Sequence, residues 1–315
     1  MRNLKFSLDV QANALLCPNP TEWFERSYLQ ENIVDNFRTV PGVKESTKIA
    51  HNTFGNLIQT AGCSWNATDT ELDAEDIDVC KFDVMVQVCQ YDLESSFVSQ
   101  NMLKGDANWQ ESEFLAYYWS ELQAKVAEEL QILRWNGDVA ATPSTNPLNK
   151  CDGYLVKLED TTNYPGVKEL DSFTDLQFDK DNIVDVLAGL IALLPEATIS
   201  NQNNVRIYMS ASNAFAYQLA TLGLNHNFNY TGELALTFAG FKIAVQPGMS
   251  NDYVVIANKN SLVYAFDGEG DEKNLKIVNM SDTTAEPIMR TRIGMKAGFH
   301  ILDEGNEVAY AKVGA

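Results

Sequence analysis

The fold is decided by two short segments, Trp135-Asn136-Gly137-Asp138 and Cys151-Asp152-Gly153-Tyr154-Leu155, which are joined by a loop that contains two prolines. The first segment ends a stretch of apolar residues that recur at three- and four-residue steps and predict one long amphipathic helix over 109–135. Asn136-Gly137 predicts a helix end at which the glycine is left-handed. Neither segment contains a recognisable catalytic motif, so the pair indicates an architectural feature. The apolar positions of the helix are Phe114, Leu115, Tyr118, Leu122, Val126, Leu130 and Leu133.

Length and composition indicate a globular protein with a sizeable core. The 315 residues suffice for one large domain or two modest ones, and 45% of them are hydrophobic. No apolar run reaches the ~18 residues of a membrane span. Polar residues interrupt the apolar stretch near the N-terminus, so we expect no export signal and a cytosolic folding compartment.

The cysteines and histidines predict neither disulfides nor a zinc site. The five cysteines are widely spaced, and no CxxC pair occurs among Cys17, Cys63, Cys80, Cys89 and Cys151. In a reducing cytosol this pattern predicts free thiols. The histidines do not stand at ligand spacing from any cysteine.

Charge and motifs argue against nucleic-acid recognition and against an enzyme. The formal net charge is −20, from 23 basic and 43 acidic residues. This charge argues against binding to nucleic acid through neutralisation of its phosphates. It is compatible with a surface that lies near packed nucleic acid without binding it. The sequence has no P-loop, no GxGxxG and no GxSxG, so we expect no cofactor and no catalytic residues. The acidic, glycine-rich segment Asp267–Asp271 is interpreted as a plain turn, with a weak cation site as the alternative.

Five regions follow one another along the chain. Residues 1–42 predict an arm, 43–80 an extended hairpin, and 81–91 a strand with period-two alternation. A helix over 182–194, a strand over 205–209 and a helix to about Leu222 indicate a small α/β unit. Thereafter the chain is rich in predicted strands, at 241–245, 253–257, 262–266, 275–278, 288–293 and 308–312.

The distal part of the predicted hairpin is strongly acidic. Residues 69–78 contain six carboxylates and no basic residue, namely Asp69, Glu71, Asp73, Glu75, Asp76 and Asp78. A solvated loop is one interpretation of this run. The other is a charged surface that docks on a basic partner.

The order of these elements resembles the tailed-bacteriophage major capsid protein of the Hong Kong 97 type. In that family a helix ends in Gly-Asp, a proline-containing loop follows, and the chain resumes at Gly-aliphatic, as it does here from Trp135 to Leu155. The segment Leu236–Met249 is similar to a strand of the family that ends in Pro and Met. Two features differ from the family, since the basic ending is limited to Arg290, Arg292 and Lys296, and about 40 residues before the hairpin leave no room for a fused scaffolding segment.

The resemblance implies an α+β Hong Kong 97-like capsid fold and a structural role. It implies an N-terminal arm at 1–42, an extended hairpin loop at 43–80, a peripheral domain with a spine helix at 81–165, an axial α/β domain at 166–266, and returning strands of the peripheral domain at 267–315. The chain would form hexamers and pentamers of an icosahedral shell that encloses double-stranded DNA, assembled in the host cytoplasm and located in the virion.

The resemblance also implies partners. They are other copies of the chain, a separate scaffolding protein, a portal and decoration proteins, with non-specific contact to packaged DNA and no membrane. We expect the acidic run to pair across subunits with Arg290, Arg292 and Lys296. Three alternatives stay open from the sequence: an encapsulin-like compartment, another phage structural protein, and an enzyme with a dispersed site.

Overall fold

The computed structural model describes an α+β protein over residues 20–29, 33–54, 70–89, 113–141, 147–170, 175–223, 236–271, 275–280, 286–302 and 307–314. Its helices are α1 Pro20–Tyr28, α2 Ile33–Asn36, the spine helix α3 Glu113–Asn136, α4 Tyr154–Glu159, α5 Ile183–Leu193, α6 Glu196–Ser200, α7 Ala211–Gly223 and α8 Gly268–Asp271. Its strands are β1 Arg38–Pro41, β2 Ser46–Phe54, β3 Thr70–Asp78, β4 Cys80–Cys89, β5 Lys168–Glu169, β6 Val205–Met209, β7 Thr237–Phe238, β8 Phe241–Val245, β9 Tyr253–Asn258, β10 Leu262–Phe266, β11 Leu275–Asn279, β12 Ile288–Ile301 and β13 Val308–Lys312.

A five-stranded sheet forms the first layer. Its strand order is β1-β10-β12-β11, and β4 pairs antiparallel with residues 288–297 of the 14-residue strand β12. The alternation predicted for β4 is confirmed, because alternate residues from Lys81 to Gln87 are exposed. The other side of the strand packs on the spine helix, and Phe82 and Val84 join Val126 and Leu130 in one core cluster.

A six-stranded sheet forms the second layer, in the order β5-β13-β9-β6-β8-β7. Helices α5 and α7 pack against it, and Leu187, Leu190 and Ile207 lie in its core cluster. Two strands differ from the sequence-based division of the chain. The strand at 308–312 pairs with β9 in this sheet, and the strand at 262–266 pairs with β1 and β12 in the other. The three-residue turn between β9 and β10 is therefore a crossing between layers, which local sequence patterns do not reveal.

The spine helix ends where it was predicted to end, but for a different reason. Helix α3 stops at Asn136; positions 109–112 lie outside the described residues. Gly137 is not among the glycines with positive φ, so the predicted left-handed stop is wrong. Its backbone instead crosses the returning chain, since Gly153 N donates to the Gly137 carbonyl at 2.8 Å. A Cβ at 137 would lie 2.2 Å from the Cys151 carbonyl oxygen, and one at 153 would lie 2.6 Å from that of Trp135.

Aromatic rings pack around this crossing. Trp135 is fully buried, with ring centroids 5.3 Å from Tyr154, 5.6 Å from Tyr208 and 6.0 Å from Phe37. Tyr208 belongs to β6 of the six-stranded sheet, and the Tyr154 hydroxyl donates to the Val263 carbonyl of β10 at 2.8 Å. The end of the spine helix therefore joins the arm and both sheets in one cluster.

A disulfide between Cys80 and Cys151 corrects the expectation of free thiols. The two Cα atoms are 5.7 Å apart although 71 residues separate them in sequence. The bond joins the start of β4 to the chain that returns after the spine helix. Cys89 is a free thiol, whereas Cys17 and Cys63 lie outside the described residues. Spacing along the chain gave no sign of this pair because only the tertiary fold brings it together.

The hairpin of β2 and β3 is attached to the five-stranded sheet through its base. Its strands pair antiparallel from Ser46 opposite Asp78 to Phe54 opposite Thr70, and residues 55–69 lie outside the described part. Ile77 and Val79 are buried in a small cluster with Val263 of β10. A Cβ at Gly298 of β12 would lie 2.2 Å from the Asp78 carbonyl oxygen, so glycine lets the two backbones touch.

A histidine and a lysine complete this attachment. His300 Nε2 lies 2.8 Å from the Asp78 carbonyl oxygen, and His300 Nδ1 lies 3.5 Å from Lys157 Nζ. The Asp78 backbone N–H also donates to His300 Nε2, at 3.0 Å, so the ring is held by both backbone groups of Asp78. Burial, together with the nearby Lys157 charge, lowers the pKa of His300 to about 4, and burial lowers the pKa of Lys157 to about 8.

The backbone crossing predicts that Gly153→Ala destabilises the protein. The added methyl overlaps backbone atoms of residues 135 and 137, which no side-chain rotation can relieve. We expect a loss of about 1–3 kcal/mol or more in the free energy of unfolding, measured by urea denaturation of unassembled protein. Gly268→Ala is the control, since its Cβ meets only ordinary contacts at 3.6 Å. Equal stability of the two variants would contradict the close crossing.

The contacts at the hairpin base predict that the stability of the protein depends on pH through the titration of His300. Its pKa is lowered from 6.5 to about 4 in the folded state, so the unfolded state binds more protons between those values. The neutral His300 ring therefore contributes up to about 3 kcal/mol to the free energy of unfolding above pH 6.5. This contribution is lost as the pH falls towards 4. His300→Gln keeps an N–H donor but does not titrate.

The measurement is the free energy of unfolding of wild type and His300→Gln at several pH values in this window. All other titrating groups are common to both proteins, including Asp271, whose raised pKa of about 6 acts in the opposite direction. The wild type is expected to lose more stability on acidification. Parallel pH profiles would show that His300 is not held neutral.

Candidate assembly surfaces

Basic residues gather on one face of the five-stranded sheet. Arg290, Arg292 and Lys296 occupy alternate positions of β12, so they share a face. Lys276 of β11 lies opposite Arg292, and Lys81 of β4 lies opposite Lys296. Directly opposed residues in an antiparallel pair point to the same side. We call these five residues the basic face; all except Arg290 line a cavity of about 310 Å³.

Arg290 and Arg292, two exposed members of the basic face, have partners within the chain. Arg292 Nη2 lies 2.7 Å from Asp83 Oδ2, and Arg290 Nε donates to Gln87 Oε1 at 3.1 Å. The hydrogen bond to Asp83 raises the pKa of Arg292. Solvent screens pairs of this kind, so they hold their partners weakly and can be exchanged for others.

Lys296 differs from the two arginines because its charge is taken up inside the subunit. Its side chain is 19% exposed, and Nζ lies 2.7 Å from Asp267 Oδ2 and 3.9 Å from Asp271 Oδ1. The Tyr28 hydroxyl donates to Asp271, and the Lys296 backbone N–H donates to the same carboxylate at 2.9 Å. Burial raises the pKa of Asp271 to about 6 and raises that of the Tyr28 hydroxyl.

The segment Asp267–Asp271 is therefore more than the plain turn that was predicted. It contains the helical turn α8, and both of its aspartates are buried. The cation beside them is Lys296, so the cluster anchors the arm helix α1 to β12. Among the described residues, no three His, Cys, Asp or Glu side chains are placed to hold a metal ion.

The acidic run lies on β3 rather than in a loop. Glu71, Asp73 and Glu75 occupy alternate positions of this strand, whereas Asp69 lies outside the described residues. Asp76 is exposed and lies 3.3 Å from Lys48 Nζ across the hairpin. The Asp78 backbone is held at the hairpin base by His300. The run is thus part of a β-strand in a two-stranded hairpin.

Sequence reasoning missed the residues that fix these two surfaces in place. Lys157, His300 and Gly298 hold the hairpin base, and Asp271 with Tyr28 holds the end of the basic face. Contacts such as Lys157 with His300 and Tyr28 with Asp271 join distant positions in sequence, so no local pattern signals them. What the arrangement provides chemically is a basic face around β12 and a hairpin strand, β3, whose sequence is acidic.

No helix in the described part of the chain is long and apolar enough to cross a membrane. No family model matches the sequence, and no curated protein matches it.

Solved structures match the fold over nearly the whole chain. A chain of the satellite phage P4 procapsid, whose structure includes a size determination (Sid) protein, aligns over 98% of this chain and 93% of its own, with 10% identity and a TM-score of 0.64. The capsid of an empty GTA particle aligns over 90% of both chains, with 14% identity and a TM-score of 0.54. The Gordonia phage Cozz aligns over 91% and 87%, with 10% identity and a TM-score of 0.52. The chain has the α+β capsid fold of the Hong Kong 97 type.

Proposed function

We propose that this protein is the major capsid protein of a tailed bacteriophage, a structural protein without enzymatic activity. Copies assemble into the hexamers and pentamers of an icosahedral shell, which encloses the double-stranded DNA genome in the virion. The observation that carries this proposal is the fold likeness to a procapsid chain over 98% of the present chain. A shell protein has to extend its chain across neighbours, and the hairpin of β2 and β3 supplies such an extension.

Each layer of the subunit has a proposed place in the shell. The five-stranded sheet and the spine helix form the peripheral domain, and the six-stranded sheet with α5 and α7 forms the axial domain at the centres of hexamers and pentamers. In this assignment β10 belongs to the peripheral domain and β13 to the axial domain, as their strand pairing supports. The arm and the hairpin reach over adjacent subunits.

Opposite charges select the register between subunits. In this proposal, the carboxylates of β3 lie along the Arg290 and Arg292 positions of a neighbouring β12. On each of the two strands these residues stand at every second position, about 6.6–6.8 Å apart, so several ion pairs can form together. Each exposed pair is weak, which lets a misplaced subunit dissociate while a correct one is retained by many contacts.

Partners other than the chain itself complete the shell. We propose a separate scaffolding protein, a portal and decoration proteins. The P4 procapsid contains a size determination protein, which supports a second chain as the source of shell geometry here. DNA would be enclosed without specific contacts, because a subunit with a net charge of −20 has no excess of cations to neutralise phosphates.

Size-exclusion chromatography and electron microscopy of the purified chain test the proposal. We expect capsomers or megadalton particles, and nucleic acid rather than protein cargo in particles recovered from infected cells. A chain that remains a monomer or dimer at every concentration, with and without the other structural proteins, would contradict a shell function. Particles filled with one enzyme would indicate a cargo compartment instead.

Reversing the charge of the basic face should impair assembly more than folding. Arg290→Glu with Arg292→Glu sets like charges against a neighbour's β3, and the yield of particles is expected to fall several-fold while the unfolding transition of the free subunit stays close to wild type. Lys180→Glu with Lys242→Glu is the control, since both lysines are exposed in the other layer and the change in net charge is the same.

A compensating change makes this test specific. Asp73→Arg with Glu75→Arg, placed in the same chain as the two reversed arginines, is expected to restore part of the particle yield. Normal assembly of the Arg290 and Arg292 double variant at moderate salt would show that the hairpin docks elsewhere.

A further inference from the structure

A buried arginine lies at the end of the spine helix, where the arm meets both layers. Arg134 is 3% exposed, and its guanidinium carbon lies 4.8 Å from the centre of the Phe37 ring and 6.0 Å from that of Tyr264. Its Nε has no hydrogen-bond partner. Among the described residues, no carboxylate lies within ion-pair distance of the guanidinium.

Aromatic rings do not compensate fully for the burial of this charge. Contact between a cation and an aromatic face is favourable, but removing an ion from water costs more unless a counter-charge with good hydrogen bonds is supplied. Burial accordingly lowers the pKa of Arg134. A guanidinium buried in this way is stabilised when a hydrogen-bond acceptor from another molecule binds to it.

Arg134 is one of the residues that line a cavity with room for such an acceptor. The cavity has a volume of about 590 Å³ and is open between the arm, the spine helix and the turn after β8. Its polar lining includes Gln131, Gln246 and Asn36, and the buried Oδ1 of Asn36 also has no partner. These amides can donate through their NH₂ groups once rotated, so the lining suits an oxyanion.

The surroundings of the cavity suit a protein partner better than a small ion. Val34 of α2 is 62% exposed, and Val245, which lines the cavity, is 37% exposed. Apolar groups around a charged pocket are typical of surfaces that another protein covers. A second copy of this chain brings carboxylates in excess, since 43 of its residues are acidic and 23 are basic.

We propose that the Arg134 cavity receives a carboxylate side chain from a second copy of this chain during assembly. The guanidinium donates to the carboxylate, the amides of the lining complete its hydrogen bonds, and the exposed valines are covered at the same time. This inference rests on the proposed shell function, and it adds a buried contact that the exposed charges of the basic face do not provide.

Arg134→Met tests the inference because methionine keeps an unbranched stem and removes the charge. We expect unassembled Arg134→Met subunits to be as stable to urea as wild type or more stable, because an uncompensated buried charge has been removed. We expect the concentration needed for assembly, measured by sedimentation velocity, to rise about 30-fold or more. Arg134→Lys is expected to lie in between, and Arg38→Met, at an exposed arginine, is expected to match wild type.

Three results would overturn the inference. Assembly of Arg134→Met at wild-type concentrations would show that no intersubunit carboxylate is bound. Lower stability of the unassembled variant would show that the acceptor belongs to the same chain. A rise in melting temperature of unassembled wild type with sulfate at constant ionic strength, absent in Arg134→Met, would identify a small-anion site.

The same measurements separate this inference from the proposed function. A wild type that assembles while Arg134→Met assembles equally well overturns the inference alone. A wild type that never self-associates overturns both.

Discussion

The backbone crossing of Gly137 and Gly153 is the contact on which the rest of the molecule depends. There the end of the spine helix and the returning chain approach so closely that neither position has room for a Cβ. The crossing fixes the direction of Trp135 on one side and of Tyr154 on the other, and their rings meet Phe37 of the arm and Tyr208 of the six-stranded sheet. Close approach of backbones, rather than a left-handed turn, is what requires glycine here.

Gly248 extends the same principle to the six-stranded sheet. Gly248 has a positive φ of 82°, and a Cβ at this position would lie 2.9 Å from the backbone nitrogen of Ile132 in the spine helix. Asn136 donates from its amide to the Gly248 carbonyl. The spine helix is therefore clamped at its end by a turn of the six-stranded sheet and by the returning chain. Both layers keep a fixed relation to the helix.

Local patterns in the sequence were sufficient for the elements but not for their pairing. The strands Phe241–Val245 and Leu262–Phe266 and the helix near 183–193 were predicted almost to the residue, because alternation, capping and turn residues act over a few positions. The bond between Cys80 and Cys151 and the exchange of β10 and β13 between sheets were not predicted, because they depend on contacts between distant positions. The charged surfaces show the same division. Arg290 and Arg292 are exposed on β12, and their role between subunits stays a prediction. Nothing in the sequence indicated that Lys296 lies buried against Asp267, because that is a tertiary contact.

The proposed shell function requires a subunit that is stable alone and still has groups left to bind its neighbours. The six-stranded sheet meets the first need, since Val205, Ile207, Val254 and Ile256 are fully buried within one protomer. The second need is met near the junction of arm and spine helix, where Arg134 and Asn36 keep buried polar atoms without partners. An unsatisfied buried group raises the free energy of the free subunit and lowers that of any complex that satisfies it. Exposed pairs such as Arg292 with Asp83 can exchange partners at little cost, so they suit the search for the correct register. The buried charge of Arg134, which in this proposal gains its counter-ion only when a second copy docks, suits the last step of assembly. Its contribution to the binding free energy is large and directional, and it is lost when the neighbour dissociates.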